Sequence, residues 1–278
     1  MYKRQTPTLG TFTLGASNGS VSYMYEEEVP QAYEQVSDAK ETMANQVGNF
    51  MDNNFIMYSA PALEIAGANI QAHLAYSPQA TDENNGDGGT VTYNPAVGKG
   101  VEAGITIAYE GLKVGFYGSE RDRTTPETAG ATGQYEEDEF NGVWYATYTM
   151  GPVSIGYSES YMDAGVTQAL SSATVNTAKA ERTAGGIFTG EQMSIAFNVN
   201  DNMSISYTTS DETYDTQDNA KTATTSDDDV TESIDAIQIA YSMGGMSIKA
   251  YNMEVTNPEQ DDDAADQSVT EIALGFAF

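Results

Sequence analysis

The sequence predicts an all-β fold, a transmembrane antiparallel β-barrel of about twelve strands. Three observations predict it. Short segments alternate apolar with other side chains, short and long connections alternate along the chain, and the last segment ends on an aromatic residue. In that segment Ile272, Leu274, Phe276 and Phe278 share one face, so we expect them to face lipid on the strand that closes the barrel.

The composition suits a chain that crosses a membrane with strands. Hydrophobic residues make up 40% of the chain, and no run approaches the roughly 18 apolar residues that a spanning helix needs. In a barrel only alternate residues face lipid. The 18 Tyr, 9 Phe and 26 Gly fit aromatic girdles and tight turns. The absence of cysteine excludes disulfides, thiol catalysis and cysteine-based zinc sites.

The charge excludes a further set of functions. The chain carries 41 acidic and 11 basic residues, a formal net charge of −30. Binding to nucleic acid through a basic patch is therefore excluded, and so is a polybasic membrane anchor. Most of the acidic residues fall in the long connections, and the predicted strands are nearly free of charge.

The predicted strands pair through short joints rich in Gly, Asn and Pro, which are hairpin signals. The joints lie at 110–111, 151–152, 200–202 and 244–245. The strands are predicted at 9–16, 55–60, 68–76, 101–109, 112–118, 143–150, 153–161, 193–199, 203–209, 234–241, 246–253 and 268–278. Short turns at one end and long polar loops at the other are typical of a transmembrane barrel.

The first long segment, residues 17–54, differs from the other loops. It contains three consecutive glutamates at 26–28 and a helix-like stretch from 38 to 51, with Ser37 as a candidate N-cap. The strand before it reads LGTFTLG at 9–15. This strand and acidic loop resemble the fifth strand and third loop of the general porins, sixteen-stranded trimeric barrels of Gram-negative outer membranes. Segments 199–207 and 240–245 resemble porins of marine alphaproteobacteria.

The resemblance implies an organisation for the whole chain. The twelve strands would be equivalent to strands 5–16 of a sixteen-stranded porin, and segment 17–54 would be a constriction loop folded into the barrel. Residues 1–5 (MYKRQ) resemble the translation of a sequencing adapter, so we expect a cloning scar before an N-terminally truncated chain, with a genuine start as the alternative. Residues 6–278 would then form a single barrel domain.

The resemblance also implies a function, a location and partners. A porin catalyses no reaction. It is a water-filled channel in the bacterial cell outer membrane for passive diffusion of small hydrophilic solutes and ions, and the acidic loops favour cations. The implied partners are outer-membrane lipid, lipopolysaccharide and further copies of the chain in a homotrimer.

Strand alternation and the loop together supply the candidate constriction. Alternation points Lys113 and Lys249 into the lumen, and Arg121 lies just beyond a predicted strand, near the mouth. In a constriction these cations would face a row of acidic side chains. The alternative interpretation is that each is a solvated residue of the lumen or of a loop. The early strands that carry the family's arginine cluster have no counterpart in this chain. The acidic row comprises Glu26, Glu27, Glu28, Glu34 and Asp38.

Other candidate sites are weaker. The runs Asp227, Asp228, Asp229 and Asp261, Asp262, Asp263 offer oxygen ligands that would hold Ca²⁺ loosely, or they are simply hydrated loops. No cofactor is expected. His73, the single histidine, faces the lumen by alternation and has a structural role. Motifs for phosphate binding, zinc binding and serine hydrolysis are missing from the sequence, which argues against an enzyme.

Two other functions remain open. A secreted or surface-exposed β-rich adhesin or structural protein would use the acidic loops to bind partners, and its apolar strand faces would turn inward. A substrate-specific outer-membrane channel would share the barrel but show saturable flux of one solute.

Overall fold

The computed structural model describes residues 2–6, 9–15, 20–38, 55–78, 80, 97–123, 135–136, 138–163, 166–167, 187–215 and 229–277. Sixteen strands occur in this part of the chain. They are β1 (Tyr2–Thr6), β2 (Gly10–Gly15), β3 (Phe55–Ser59), β4 (Leu63–Ile65), β5 (Ala68–Ser77), β6 (Val97–Tyr109), β7 (Leu112–Arg123), β8 (Tyr135–Glu136), β9 (Glu139–Met150), β10 (Val153–Asp163), β11 (Val166–Thr167), β12 (Ile187–Asn200), β13 (Met203–Asp215), β14 (Val230–Met243), β15 (Met246–Thr256) and β16 (Gln267–Phe276).

One long antiparallel ladder organises these strands. Each strand pairs with its neighbour along the chain, in the order β1-β2-β3-β5-β6-β7-β9-β10-β12-β13-β14-β15-β16. The short β4 pairs with β5, and β8 pairs with β11 as a separate ribbon. Among the described strands no ladder joins β1 to β16.

The ladder contains every predicted strand and adds two elements. Strand β1 (Tyr2–Thr6) takes in four of the residues 1–5 that were expected to be a sequencing-adapter scar, and it pairs with β2 in register from Tyr2 with Leu14 to Thr6 with Gly10. Leu63–Ile65, between the predicted strands at 55–60 and 68–76, pairs with the start of β5. The predicted helical stretch at 38–51 lies outside the described residues beyond Asp38, which ends a single 3₁₀ turn.

Helices contribute little to the described part of the chain, where they are single 3₁₀ turns at Ser22–Met24, Val36–Asp38 and Pro258–Gln260. None of these helical segments has the length and apolar composition needed to cross a membrane.

The strands expose apolar side chains on one side, and the alternate side chains, both polar and apolar, are buried on the other. On β6, Val101, Ile105 and Ile107 are exposed, whereas Glu102 between them is fully buried. The same inversion holds on β14, where Ile237 is 63% exposed and Gln238 is 1% exposed. We call the exposed apolar side the outer face and the opposite side the inner face. A water-soluble sandwich would bury its apolar face instead, so the outer face is built to contact lipid.

The last strand follows this pattern. Ile272, Leu274 and Phe276 are 68%, 61% and 59% exposed on the outer face of β16. Phe278 lies outside the described residues. The apolar face of the final strand therefore continues the outer face of its neighbour β15, with Ile248 directly opposite Leu274.

Tight turns join the hairpins at the end where the outer face is most apolar. In the β6–β7 turn, Glu110 and Gly111 both have positive φ, 44° and 88°. Two positive φ values in a two-residue hairpin belong to a type I′ turn, which matches the twist of the flanking strands. A side chain on Gly111 would meet the carbonyl oxygen of Thr149 at 2.5 Å. This turn therefore requires glycine for both its φ and its contact with β9.

An arginine on the outer face is expected to destabilise the barrel, because it would be buried in lipid without a partner. We predict that Ile195→Arg on β12, where Ile195 is 49% exposed, lowers the free energy of unfolding in bilayers by up to about 2–4 kcal/mol. The measurement is urea-dependent unfolding in lipid vesicles. Asn198→Arg, on the inner face of the same strand, is the control. Equal losses in the two variants would contradict the assignment of faces.

Candidate functional site: a loop across the inner face

Residues 20–38, which we call the inner loop, lie against the inner face of the sheet. The loop first packs against β3, β5, β6 and β7, continues past β10, β12 and β13, and ends against β14, β15 and β16. It is the described part of the segment 17–54 that was predicted to fold into the barrel. Backbone N–H and carbonyl groups of the loop are bound by side chains of the wall, as the following contacts show.

Glu102 anchors the start of the inner loop. Its carboxylate accepts hydrogen bonds from the backbone N–H of Val21 at 2.8 Å and from the hydroxyl of Ser20 at 3.1 Å. The hydroxyl of Tyr117 on β7 donates to it at 3.1 Å. A buried carboxylate must be compensated by such donors, so β6, β7 and the loop are tied together at one residue.

Tyr25 fills the space next to β6, β7 and β9. Its ring lies where a side chain at Gly104 would be, 2.3 Å from an added Cβ. It stacks on Tyr117 with ring centroids 5.8 Å apart and lies 6.2 Å from the ring of Tyr145. Burial raises the pKa of Tyr25. The first half of the loop is therefore packed by an aromatic cluster inside the barrel, in which Val21, Phe55, Met57, Ala75 and Val143 are also buried.

Glu28 and Lys113 form an ion pair between the loop and β7. The two side chains are 32% and 41% exposed, so the pair is in contact with solvent on the inner side. The Nζ atom of Lys113 also lies 5.0 Å from the centre of the Tyr145 ring. Both residues were predicted as constriction residues on opposite walls, and the structure places them side by side.

Glu27 holds the loop in its folded shape. Its φ of 45° is in the left-handed region, and its carboxylate is buried. It accepts hydrogen bonds from the Ser37 N–H at 3.2 Å and the Ser37 hydroxyl at 2.9 Å, and from Nε2 of Gln192 on β12 at 3.3 Å. This carboxylate joins the middle of the loop to its C-terminal end and to the wall, and it does not face open solvent.

The middle of the loop is bound through its backbone. The carbonyl oxygen of Pro30 accepts a hydrogen bond from the hydroxyl of Ser194 on β12, and the Ala32 N–H donates to the hydroxyl of Ser206 on β13 at 2.9 Å. Gln238 on β14 uses both ends of its amide. Its Oε1 accepts from the backbone N–H of Tyr33 at 2.8 Å, and its Nε2 donates to the carbonyl oxygen of Glu34 at 2.6 Å.

Tyr33 meets the last two strands. Its hydroxyl donates to the carboxylate of Glu271 on β16 at 2.7 Å, and this hydrogen bond raises the pKa of Tyr33. Its ring lies 5.9 Å from Tyr251 and 5.0 Å from Nζ of Lys249, both on β15. Lys249 and Glu271 are exposed although they point to the inner side. Open space therefore adjoins this end of the loop.

Arg121 occupies a different place from the one predicted. Strand β7 continues to Arg123 instead of ending at 118, so Arg121 lies inside the strand. It is 4% exposed and forms an ion pair with Glu139 on β9, and its guanidinium donates to the carbonyl oxygen of Ala80 at 3.3 Å. Desolvation and a fixed partner give this arginine a structural role in joining β7 and β9.

The remaining predicted residues are less closely defined. Glu26 is half-buried, and only the backbone of Asp38 is described. Asp227 and Asp228 lie outside the described residues. His73 is buried on the inner face with its Nδ1 atom 2.9 Å from the hydroxyl of Ser59, as expected for a structural histidine.

Among the described candidate calcium ligands, which are Asp229 and Asp261 to Asp263, no three carboxylates bring their oxygen atoms within 4.8 Å of one another. Asp261 accepts a hydrogen bond from the Asp263 N–H at 3.0 Å, which forms a turn between β15 and β16. Within the described ranges, three carboxylates whose oxygen atoms all lie within 4.8 Å of one another occur at Glu120, Asp122 and Asp138, at the far end of β7. Such groups are common at exposed acidic surfaces, and Asp122 is bound to Lys99 at 3.3 Å.

Three wall residues that hold the loop were not singled out from the sequence. Glu102 is the one acidic residue in segment 101–109 and points inward by alternation. Gln192 and Gln238 are long hydrogen-bonding side chains at inward positions among serines and alanines. A search for long polar side chains at inward positions would have found all three.

Solved structures that share this fold include an outer-membrane channel, a porin and a further outer-membrane protein. The outer membrane channel DcaP of Acinetobacter baumannii is 10% identical, with 96% of this chain and 70% of that chain covered and a TM-score of 0.57. A porin is 13% identical over 98% of this chain and 78% of that chain, with a TM-score of 0.56. Outer-membrane expressed OmpT of Vibrio cholerae is 12% identical over 96% and 77%, with a TM-score of 0.55.

These similarities establish the fold. The predicted fold class, an all-β antiparallel transmembrane barrel, is confirmed. The predicted location in the outer membrane agrees with this fold and with the apolar outer face. No protein-family model and no curated protein matches the sequence, so membership of the general porins stays a prediction.

Removing the Glu102 anchor is expected to loosen the inner loop. We predict that Glu102→Ala lowers the free energy of unfolding by about 1–3 kcal/mol, because buried donors of the loop and of Tyr117 lose their acceptor. Urea titration in detergent measures the loss, and limited proteolysis shows faster cleavage within 20–38. Glu64→Ala, which removes an exposed acid on β4, is the control. Unchanged proteolysis in the Glu102 variant would count against the anchor.

Proposed function

We propose that the protein is an outer-membrane channel through which small hydrophilic solutes diffuse passively. The observation that carries the proposal is the inner loop, which lies across the inner face of a wall whose outer face is apolar. A loop whose backbone is bound by polar side chains of the wall narrows a lumen, while open space remains beside Lys249 and Glu271. The fold shared with solved porin and channel structures supports it.

A preference for cations follows from the charges near the open side of the loop. Glu28 and Glu34 are half-buried and Glu271 is exposed, and they are accompanied there by the two lysines, Lys113 and Lys249. Glu28 neutralises Lys113 through their ion pair. Carboxylates that are not neutralised, together with a net charge of −30, raise the local concentration of cations and repel anions.

The assembly of the channel is part of the same proposal. The resemblance to general porins implies a homotrimer and contact with lipopolysaccharide. The described loop contacts reach from β3 to β16, and the constriction would lie beside the loop, where Lys249 and Glu271 stay exposed on the inner side.

The alternative functions make different demands on the structure. A soluble adhesin requires its apolar strand faces to turn inward, whereas Ile237, Ile272 and Leu274 are more than half exposed. A substrate-specific channel shares every feature described above. The two kinds of channel differ in how flux depends on solute concentration. Flux of the preferred solute saturates in a substrate-specific channel, whereas flux through a general diffusion channel stays linear.

Channel activity is tested by planar-bilayer recording of the refolded protein. We expect stepwise conductance increases that scale with bulk salt conductivity, as for a water-filled pore. Replacing residues 24–34 by a short Gly-Ser linker should increase the single-channel conductance, because it removes the loop from the lumen. A folded sample that inserts and shows no steps would contradict the proposal.

Ion selectivity is tested by the reversal potential in a salt gradient. We expect a reversal potential of the sign for cations, and a further shift in that direction for Lys249→Gln, because Glu271 then lacks a nearby cation in the lumen. Lys99→Gln, outside the lumen and bound to Asp122, is the control and should leave the reversal potential unchanged. A shift towards anions in the Lys249 variant would refute the assigned position.

A further inference from the structure

One tyrosine of the inner loop contacts two opposite charges of the wall. The hydroxyl of Tyr33 donates to the Glu271 carboxylate at 2.7 Å, and the centre of its ring lies 5.0 Å from Nζ of Lys249. An ammonium over an aromatic ring is attracted by the negative face of the ring. Tyr33 therefore holds the carboxylate at its hydroxyl and the ammonium at its ring face, at two separate points.

The two charges lie on neighbouring strands and still do not pair with each other. Lys249 on β15 is opposite Ala273 on β16, and Glu271 is opposite Tyr251, so the charged residues are diagonal neighbours on the inner face. Such neighbours are about 7–8 Å apart, within reach of long side chains. None of the ion pairs of the described residues includes Lys249 or Glu271. Their opposite charges are therefore available to a solute.

Both charged groups have hydrogen-bonding capacity left. Lys249 and Glu271 are exposed. Within the described ranges the contact of the Lys249 Nζ is with the Tyr33 ring, so its three N–H groups face water. Glu271 accepts from Tyr33 and, at 3.4 Å, from the hydroxyl of Tyr251, and a carboxylate offers about four lone-pair positions. The two hydroxyls thus orient this carboxylate and leave it able to accept from a ligand.

A second carboxylate adjoins the tyrosine hydroxyl. Glu34 follows Tyr33 in the inner loop, and after Glu271 its carboxylate is a further cause of the raised pKa of Tyr33. A simple anion at this place would be attracted by Lys249 and repelled by both carboxylates, and a simple cation would be repelled by Lys249. A solute that carries both charges is attracted by all three groups.

We propose that Tyr33, Glu34, Lys249 and Glu271 form a binding site for α-amino acids, which are zwitterions at neutral pH. The α-carboxylate would bind Nζ of Lys249, and the α-ammonium would bind the carboxylates beside the Tyr33 hydroxyl, through hydrogen bonds between charged groups. The inference rests on the proposed channel and names the solutes that it prefers. Weak binding of this kind lets a solute enter and leave a passage.

Saturation-transfer NMR of the refolded protein in deuterated detergent tests the site without measuring flux. The probes are L-alanine, L-alaninamide, which keeps the ammonium alone, and N-acetyl-L-alanine, which keeps the carboxylate alone. We expect L-alanine to bind saturably, with a dissociation constant about tenfold lower than that of either derivative, because each derivative loses hydrogen bonds between charged groups. Equal binding of the three probes would overturn the proposal.

Two variants assign the two ends of the ligand. Lys249→Gln should raise the dissociation constant of L-alanine about tenfold and should not weaken L-alaninamide, because this probe has no carboxylate and is no longer repelled. Glu271→Gln should weaken both probes. The matched controls are Lys99→Gln and Glu64→Gln, which remove exposed charges elsewhere and should leave both dissociation constants unchanged. Equal weakening of the two probes by Lys249→Gln would refute the assigned orientation.

Conductance separates this inference from the function on which it rests. A protein that shows conductance steps and does not bind L-alanine in preference to its derivatives would overturn the amino-acid site and leave the channel. A protein that binds L-alanine selectively and shows no steps would support the site and contradict the channel.

Discussion

The structure depends on one constraint: strands that face lipid must satisfy every backbone hydrogen bond within the sheet. The antiparallel ladder does this for the strands between its two edges, β1 and β16, and it fixes the direction of every side chain in these strands, since successive residues point to opposite faces. Apolar residues such as Ile195 and Leu274 then lie outside. Polar residues such as Glu102 and Gln238 are committed to the inside, where each must find a partner.

The inner loop supplies those partners. Glu102 accepts from the backbone of Val21, and Gln238 binds the backbone of Tyr33 and Glu34. The wall and the loop are therefore mutually dependent, because the loop lacks regular secondary structure beyond two 3₁₀ turns in its described part and is held by side chains of the strands. The loop reaches across the interior while open space remains next to Lys249. That combination suits a narrowed, water-filled passage better than a closed core.

The sequence was sufficient for the strands and insufficient for the contacts between distant segments. A period of two is visible in single segments such as 268–276, so the twelve predicted strands were found. Strand ends were less accurate, because β7 continues through Arg121 in polar residues that read as loop. The loop anchors could not be paired from sequence. Val21 and Glu102 are 81 residues apart, and Tyr33 and Gln238 are 205 apart, and no local pattern specifies such a pairing.

The central claim is that the inner side of this wall meets water while the outer side meets lipid, and the absence of cysteine from the chain allows a direct measurement. Single cysteines at the adjacent positions 248 and 249 of β15 point to opposite faces. In lipid vesicles, a charged, membrane-impermeant thiol reagent should label Lys249→Cys rapidly and should leave Ile248→Cys unlabelled until the membrane is dissolved. Rapid labelling at 248 with protection at 249 would contradict the account.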